Sequence, residues 1–140
     1  MVPNTDDLEE FYEYHTGVAS EWQDTERSHP SPWAELESKT FILTVPATAI
    51  RDLNLPGDVM DFWDRVQDAN ADLEGTSHDR PRAERFVLDR AISAGWMHSG
   101  YPLMGHITGT LDLLDVATIQ AEGSWGPFHE LGHNPQWADW

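Results

Sequence analysis

Residues 58–73 carry a pattern that constrains the fold more than any other part of the chain. Val59, Phe62, Trp63, Val66, Ala69 and Leu73 fall within about 120° of arc at 100° per residue, which is the periodicity of a helix with one buried side. Asp58, Asp61, Asp64, Asp68 and Asp72 occupy the opposite side. A face of one sign reads as solvated surface rather than as a cation site. Upstream, Phe41-Ile42-Leu43-Thr44-Val45 is β-branched, apolar and bounded by Pro46, and reads as a buried strand. At roughly 150 residues per domain, a chain of 140 residues holds at most one ordinary domain.

The remaining segments are read in the same way. Phe86-Val87-Leu88 and Ala91-Ile92 form a second strand region. It leads into a stretch from Gly95 to Pro102 whose two glycines and proline allow only an edge or bulged strand. Residues 111–122 read as one helix, with Leu113, Leu114, Val116, Ala117 and Ala121 inside about 160° of arc and Gly123 ending it. Ser124 then stands where an N-cap is needed, and Pro127 falls in the first turn of a further helix, where its missing N–H costs nothing. Residues 1–32 are polar and end in Ser28-His29-Pro30-Ser31-Pro32, a lead-in to a domain over residues 33–140.

Charge narrows the function classes. Twenty-five acidic residues face eight basic ones, of which Lys39 is the one lysine, for a net charge of −17. That balance disfavours a groove built on phosphate neutralisation, and polybasic membrane docking as well. The field is opposed so weakly that two readings stay open, a high-salt source and a merely acidic surface. No run approaches the roughly 18 apolar residues of a membrane span, and residues 1–7 have neither the basic nor the apolar part of a signal peptide. With no cysteine, disulfides, thiolate metal sites and a cysteine nucleophile are ruled out.

His129-Glu130-Leu131-Gly132-His133 is an H-E-x-x-H sequence. Histidines at i and i+4 lie about 40° apart around a helix, so both imidazoles reach one Zn²⁺. Glu130 is placed to take a proton from water as a general base. The pattern arises by chance in roughly 3% of chains of this composition, so its setting matters. A plausible N-cap precedes it, and Leu131 and Gly132 leave the ligand face open. Pro135 is expected to end the helix just after His133 and to bias Asn134 away from the α region. A peptidase zinc site needs a third protein ligand. After His133 the sequence offers Asp139, too close to the helix to return onto the metal.

A longer set of segments goes beyond this motif. It comprises Pro32-Trp33-Ala34-Glu35-Leu36-Glu37, Ile42-Leu43-Thr44-Val45-Pro46, Phe62-Trp63-Asp64, Ile92-Ser93-Ala94-Gly95-Trp96-Met97-His98-Ser99-Gly100-Tyr101-Pro102, and Gly123-Ser124-Trp125-Gly126-Pro127-Phe128-His129-Glu130-Leu131-Gly132-His133-Asn134. In order and spacing these segments resemble the enhancin and mucinase-like zinc metallopeptidases, a gluzincin-type family that also includes vertebrate channel-associated factors. The resemblance spans about 110 residues, with a weaker extension over Tyr14 to Arg27.

That resemblance implies a zincin-like α+β domain, truncated here after the active-site helix. It implies Zn²⁺ as cofactor, His129 and His133 as ligands and Glu130 as catalytic acid/base. The implied reaction is hydrolysis of peptide bonds in glycosylated, mucin-like proteins, in a secreted or cell-surface setting for the full-length form. In the family the third ligand is a glutamate further downstream, so the chain alone is expected to be inactive, and the missing half of its own domain is an expected partner. The rival reading is a non-catalytic interaction module of the same family.

By analogy with gluzincins, residues 94–101 form the sheet edge above the active-site helix, where free backbone groups pair with an extended substrate. Gly95, Met97, His98 and Tyr101 are the candidate substrate-binding residues there. For Tyr101 core packing competes with a substrate contact and is the favoured reading. His98 and His106 are expected to be satisfied structural groups, and His15, His29 and His78 solvated ones. Trp33, Trp63, Trp96 and Trp125 are expected in the core rather than as sugar-stacking surfaces, and Trp137 and Trp140 on the surface.

Overall fold

In a computed structural model, the residues described are 21–136. Asp139, Trp137, Trp140, Tyr14 and His15 lie outside them. The elements are β1 (Trp33–Glu37), β2 (Phe41–Pro46), α1 (Pro56–Glu74), β3 (Glu84–Asp89), β4 (Met97–His98), β5 (Leu103–His106), α2 (Leu111–Leu114), α3 (Val116–Glu122) and α4 (Trp125–His133). Five strands form one mixed sheet in the order β1-β2-β3-β5-β4. β1 and β2 are an antiparallel hairpin, while β2, β3 and β5 run parallel. β4 closes the edge antiparallel to β5. None of the described helices is long and apolar enough to cross a membrane.

Alternation along the strands sets which sheet face is buried. Phe41, Leu43 and Val45 of β2, Phe86 and Leu88 of β3, and Leu103 of β5 are completely buried, and they form the surface on which the helices pack. Trp63 of α1 sits over this surface, stacked on Phe41 at 5.1 Å between ring centroids and edge-on to Phe62 at 5.3 Å. Phe128 of α4 lies 5.9 Å from Trp63. The Trp63 indole N–H, having no water to bond, donates to the Leu113 carbonyl at 2.9 Å and so ties α1 to α2.

The amphipathic helix is longer than its stripe predicted. Pro56 occupies its first turn, where a proline is tolerated, and Gly75 caps the far end in the left-handed region. The stripe also swings round. Val59, Phe62 and Trp63 are buried as expected, but Ala69 is exposed and Leu73 is 87% exposed. Gln67 and Ala71 take the inward positions in the last turns.

Not every aspartate on the outer face is merely solvated. Asp64 accepts from the Ser38 hydroxyl at 2.6 Å, from the Thr40 N–H at 3.1 Å and from the Thr40 hydroxyl, which pins α1 to the β1–β2 turn. Asp68 and Asp72 hold His78, with 2.8 Å from Nε2 to Asp72 and 3.5 Å from Nδ1 to Asp68. His78 is exposed, as expected, yet paired. The hydrogen bond to Asp72 and then the charge of Asp68 raise its pKa above the ordinary histidine value. A raised folded-state pKa stabilises the fold below the unfolded-state value, and that contribution is lost as pH rises through the folded-state value. Replacement by His78→Gln is therefore expected to lower the thermal midpoint at about pH 5.5 and to change it little at about pH 8.5. Differential scanning fluorimetry across that range checks it.

Two expectations for the second half are corrected. Residues 111–122 are two helices, because Asp115 leaves the helical region at φ −84°, ψ 74°. Its carboxylate accepts from the Thr118 N–H at 3.1 Å and the Thr118 hydroxyl at 2.8 Å, starting a new helix at Val116. Both hydrogen bonds lower the Asp115 pKa. Ala117 and Ala121 are exposed, and Ile119 is the buried residue of α3. Ala91 and Ile92 form no strand. Asp89 instead turns the chain there by accepting from the Ala91 N–H at 3.0 Å.

Residues 21–32 pack on this body. Trp22 Nε1 donates to the Leu53 carbonyl at 2.7 Å, and Arg51 donates to the backbone carbonyls of Arg27 and His29.

Candidate metal centre

α4 carries the H-E-x-x-H residues and is short for local reasons. Ser124 precedes it with an extended backbone, as a cap should, but its hydroxyl makes no capping bond and donates to the Asp112 carbonyl at 3.3 Å, linking α4 to α2. The helix ends at His133, where Pro135 stops its continuation. Asn134 departs from expectation and stays helical at φ −59°, ψ −39°. Leu131 faces the core and is buried, so His129 and His133 come to the outer side.

The two imidazoles converge. His129 Nε2 and His133 Nε2 are 2.9 Å apart, with the ring planes at 80°. His133 Nδ1 is 2.8 Å from Gln136 Oε1, an atom that only accepts, so Nδ1 carries the proton and Nε2 presents its lone pair. Such an outer partner for a ligand histidine is common at metal sites. His129 is held by a parallel stack on the Trp125 indole, 4.1 Å between centroids and 18° between planes. At this distance the pair is bridged by a proton, as an N–H···N hydrogen bond, or by a cation. A point about 2.05 Å from both nitrogens, the Zn–N distance, subtends an angle near 90°, and a separation of about 3.3 Å opens it to the tetrahedral value. The donor set therefore fits Zn²⁺ after a shift of a few tenths of an ångström. Glu130, which follows His129 in the helix, is half-buried. Among the described residues, no group of three or more His, Asp or Glu side chains is placed to share one ion.

β4 is the sheet edge beside this helix. A Cβ on Gly126 would come within 3.0 Å of Met97 Sδ, so glycine is what lets the start of α4 lie against the strand. Trp96 and His106 form a hydrogen-bonded pair, with the His106 N–H donating to the Trp96 carbonyl at 2.7 Å, and Met97 stands opposite Gly105. By antiparallel alternation the N–H and C=O of Met97 then point away from β5, to the open edge.

The candidate substrate-binding residues divide. Met97 and Gly95 lie along that edge, the Met97 side chain being buried and Gly95 exposed at φ +61°. His98 is engaged locally, with Nδ1 2.9 Å from the Ser99 carbonyl and Nε2 3.2 Å from the Ser93 hydroxyl. His106 likewise pairs with the Thr108 hydroxyl at 2.9 Å. Tyr101 does not pack in the core. It is 44% exposed, lies under the Arg82 guanidinium at 3.4 Å and donates to the Ala83 carbonyl at 3.2 Å. Of the four tryptophans expected inside, Trp63 alone is buried. Trp33 and Trp96 are on the surface and Trp125 is 75% exposed, because α4 turns its first residue outward beside His129.

Residue-level reading missed Trp125 and Gln136 as neighbours of the histidines. The signal was available, since Trp125 is one helical turn before His129 and Gln136 three residues after His133.

Comparison with known proteins gives a consistent picture. The family model for Peptidase M60, enhancin and enhancin-like, matches residues 11–140. A TRPM8 channel-associated factor homolog of Xenopus laevis is 47% identical over 119 residues, covering 85% of this chain and 13% of its own. Among solved structures, a functionally unknown conserved protein from Bacillus anthracis superposes with a TM-score of 0.72 at 23% identity, covering 87% of this chain and 27% of its own. The M60 catalytic domain of Clostridium perfringens ZmpC, determined with the sialyl T antigen, gives 0.64 at 16% identity, covering 87% and 25%. The ZmpC match shows the α+β fold of an M60 catalytic domain. The 140 residues thus span a small part of each of these relatives.

Proposed function

Since the chain belongs to the Peptidase M60, enhancin and enhancin-like family, we propose that it forms the helix-bearing part of a zinc-dependent endopeptidase site acting on glycosylated, mucin-like proteins. The observation that carries this reading is the convergence of His129 Nε2 and His133 Nε2 at 2.9 Å on a helix beside an open sheet edge. His129 and His133 hold the metal, and a third ligand comes from outside the described residues. Zn²⁺ held there would supply Lewis acidity toward the scissile carbonyl and the attacking water. The Glu130 carboxylate takes the proton from that water and hands it to the leaving amine. The free N–H and C=O of Met97 orient the substrate main chain by strand addition. The glycoprotein class is supported by the sialyl T antigen in the ZmpC structure. A secreted or cell-surface setting goes with such substrates.

A second reading is supported by the names of the relatives. The Xenopus laevis protein is a TRPM8 channel-associated factor homolog, and on that basis the domain serves as a non-catalytic module that binds a protein partner.

Metal analysis and cleavage of an O-glycosylated peptide by the full-length protein separate the two. The peptidase reading expects about one zinc per chain, loss of cleavage on chelation and its return with added zinc. A protein that holds no zinc and cleaves nothing leaves the second reading.

A further inference from the structure

One side chain ties the end of the histidine helix to the loop after the edge strand. Asn134 Oδ1 accepts from the Gly100 N–H at 2.9 Å, and Asn134 Nδ2 donates to the Gly100 carbonyl at 3.1 Å. The amide pairs with Gly100 as a neighbouring strand residue would. Both residues are exposed, so the two bonds contribute little to global stability and act locally. The Asn134 conformation, in contrast, is disfavoured. Asn134 stays in the α region although Pro135 follows it, a combination that clashes with the proline ring. Gly100 sits at φ +124°, which glycine adopts without strain and an L side chain would not. The contact is thus placed to hold Asn134 in its α conformation against a backbone at Gly100 that glycine supplies freely.

β4 is thereby fastened to α4 at two points. Met97 rests against Gly126 at the start of the helix, and Gly100 is gripped by Asn134 at its end. We propose that Asn134 is a positioning residue that sets the edge strand at a fixed height over His129 and His133, so that a peptide paired with Met97 presents its scissile carbonyl in register with them. This rests on the peptidase reading above. It assigns a role in alignment to a residue that touches neither substrate nor metal. Without the grip the strand stays attached through Met97, but its far end is free to drift, and small misplacements of a reacting group are expensive.

The test uses the full-length protein, Asn134→Ala and Asn134→Asp, and two substrates. One is an O-glycosylated peptide long enough to lie along β4, and the other an acylated dipeptide too short to reach it. Asn134→Ala is expected to lower kcat/KM for the long substrate about 10- to 100-fold while leaving the short one within about twofold, with zinc content unchanged. Asn134→Asp keeps an acceptor for the Gly100 N–H and loses the donor, so it falls between. Hydrogen exchange at the Gly100 amide should speed up in Asn134→Ala while the amides of α4 keep their rates. Equal loss on both substrates, or none on the long one, overturns the proposal. A parent protein that cleaves neither substrate overturns the peptidase reading and this inference with it, whereas an active parent with uniform loss overturns this inference alone.

Discussion

Glu130→Gln in the full-length protein is expected to cut peptide hydrolysis by a factor of about 10² to 10⁴ while zinc stays bound at the parent level. The substitution keeps the shape and half-buried position of the side chain and removes its capacity to hold a proton. Zinc is retained because the nitrogens that converge belong to His129 and His133, one supported by the Trp125 stack and the other by Gln136. His129→Ala has the opposite signature, losing metal and activity together. Zinc content by mass spectrometry alongside cleavage of an O-glycosylated peptide distinguishes the two. A Glu130→Gln protein that lost its zinc and kept its rate would reverse the assigned roles.

Trp63→Ala is expected to destabilise the domain by about 3 to 5 kcal/mol, the largest effect of any single truncation outside the site. Trp63 is fully buried, stacks on Phe41, meets Phe62 edge-on, lies against Phe128 of α4 and donates its indole N–H to Leu113. Truncation leaves a cavity and also orphans the Leu113 carbonyl. Because the same ring supports α4 through Phe128, zinc affinity should fall with stability. Trp63→Phe, which refills most of the space and loses the hydrogen bond, should recover much of both. Denaturant unfolding with parallel zinc titration measures the pair of effects. A Trp63→Ala protein with parent-like stability would show that the sheet and α1 do not share the core described here.

What was legible in the sequence is what repeats over a few residues. The stripe through Val59, Phe62 and Trp63 and the run Phe41-Ile42-Leu43-Thr44-Val45 announced α1 and β2, since each reports its own burial through its own period. The i, i+4 spacing of His129 and His133 announced their convergence for the same reason. β1 and β5 were not legible. Leu36 is the one buried residue of the edge strand β1, and β5 has a glycine in the middle of four residues, so neither has enough apolar alternation to declare itself. Their pairing comes from neighbours, β1 from the hairpin with β2 and β5 from parallel pairing with β3.

By itself, then, the sequence determined the elements whose partners lie within one or two turns of chain, together with the pair of imidazoles on α4 and the unbalanced acidic surface. Tertiary structure alone decided the rest. It carried Asp64 from the solvated face to the β1–β2 turn, put Tyr101 under Arg82 instead of in the core, turned Trp125 outward onto His129, and bound Asn134 to Gly100 across 34 residues. These residues share one property. Each has a polar or aromatic side chain that is equally at ease in water or against a partner, so its own sequence neighbourhood carries no preference. The choice between the two falls to whatever the fold brings within reach.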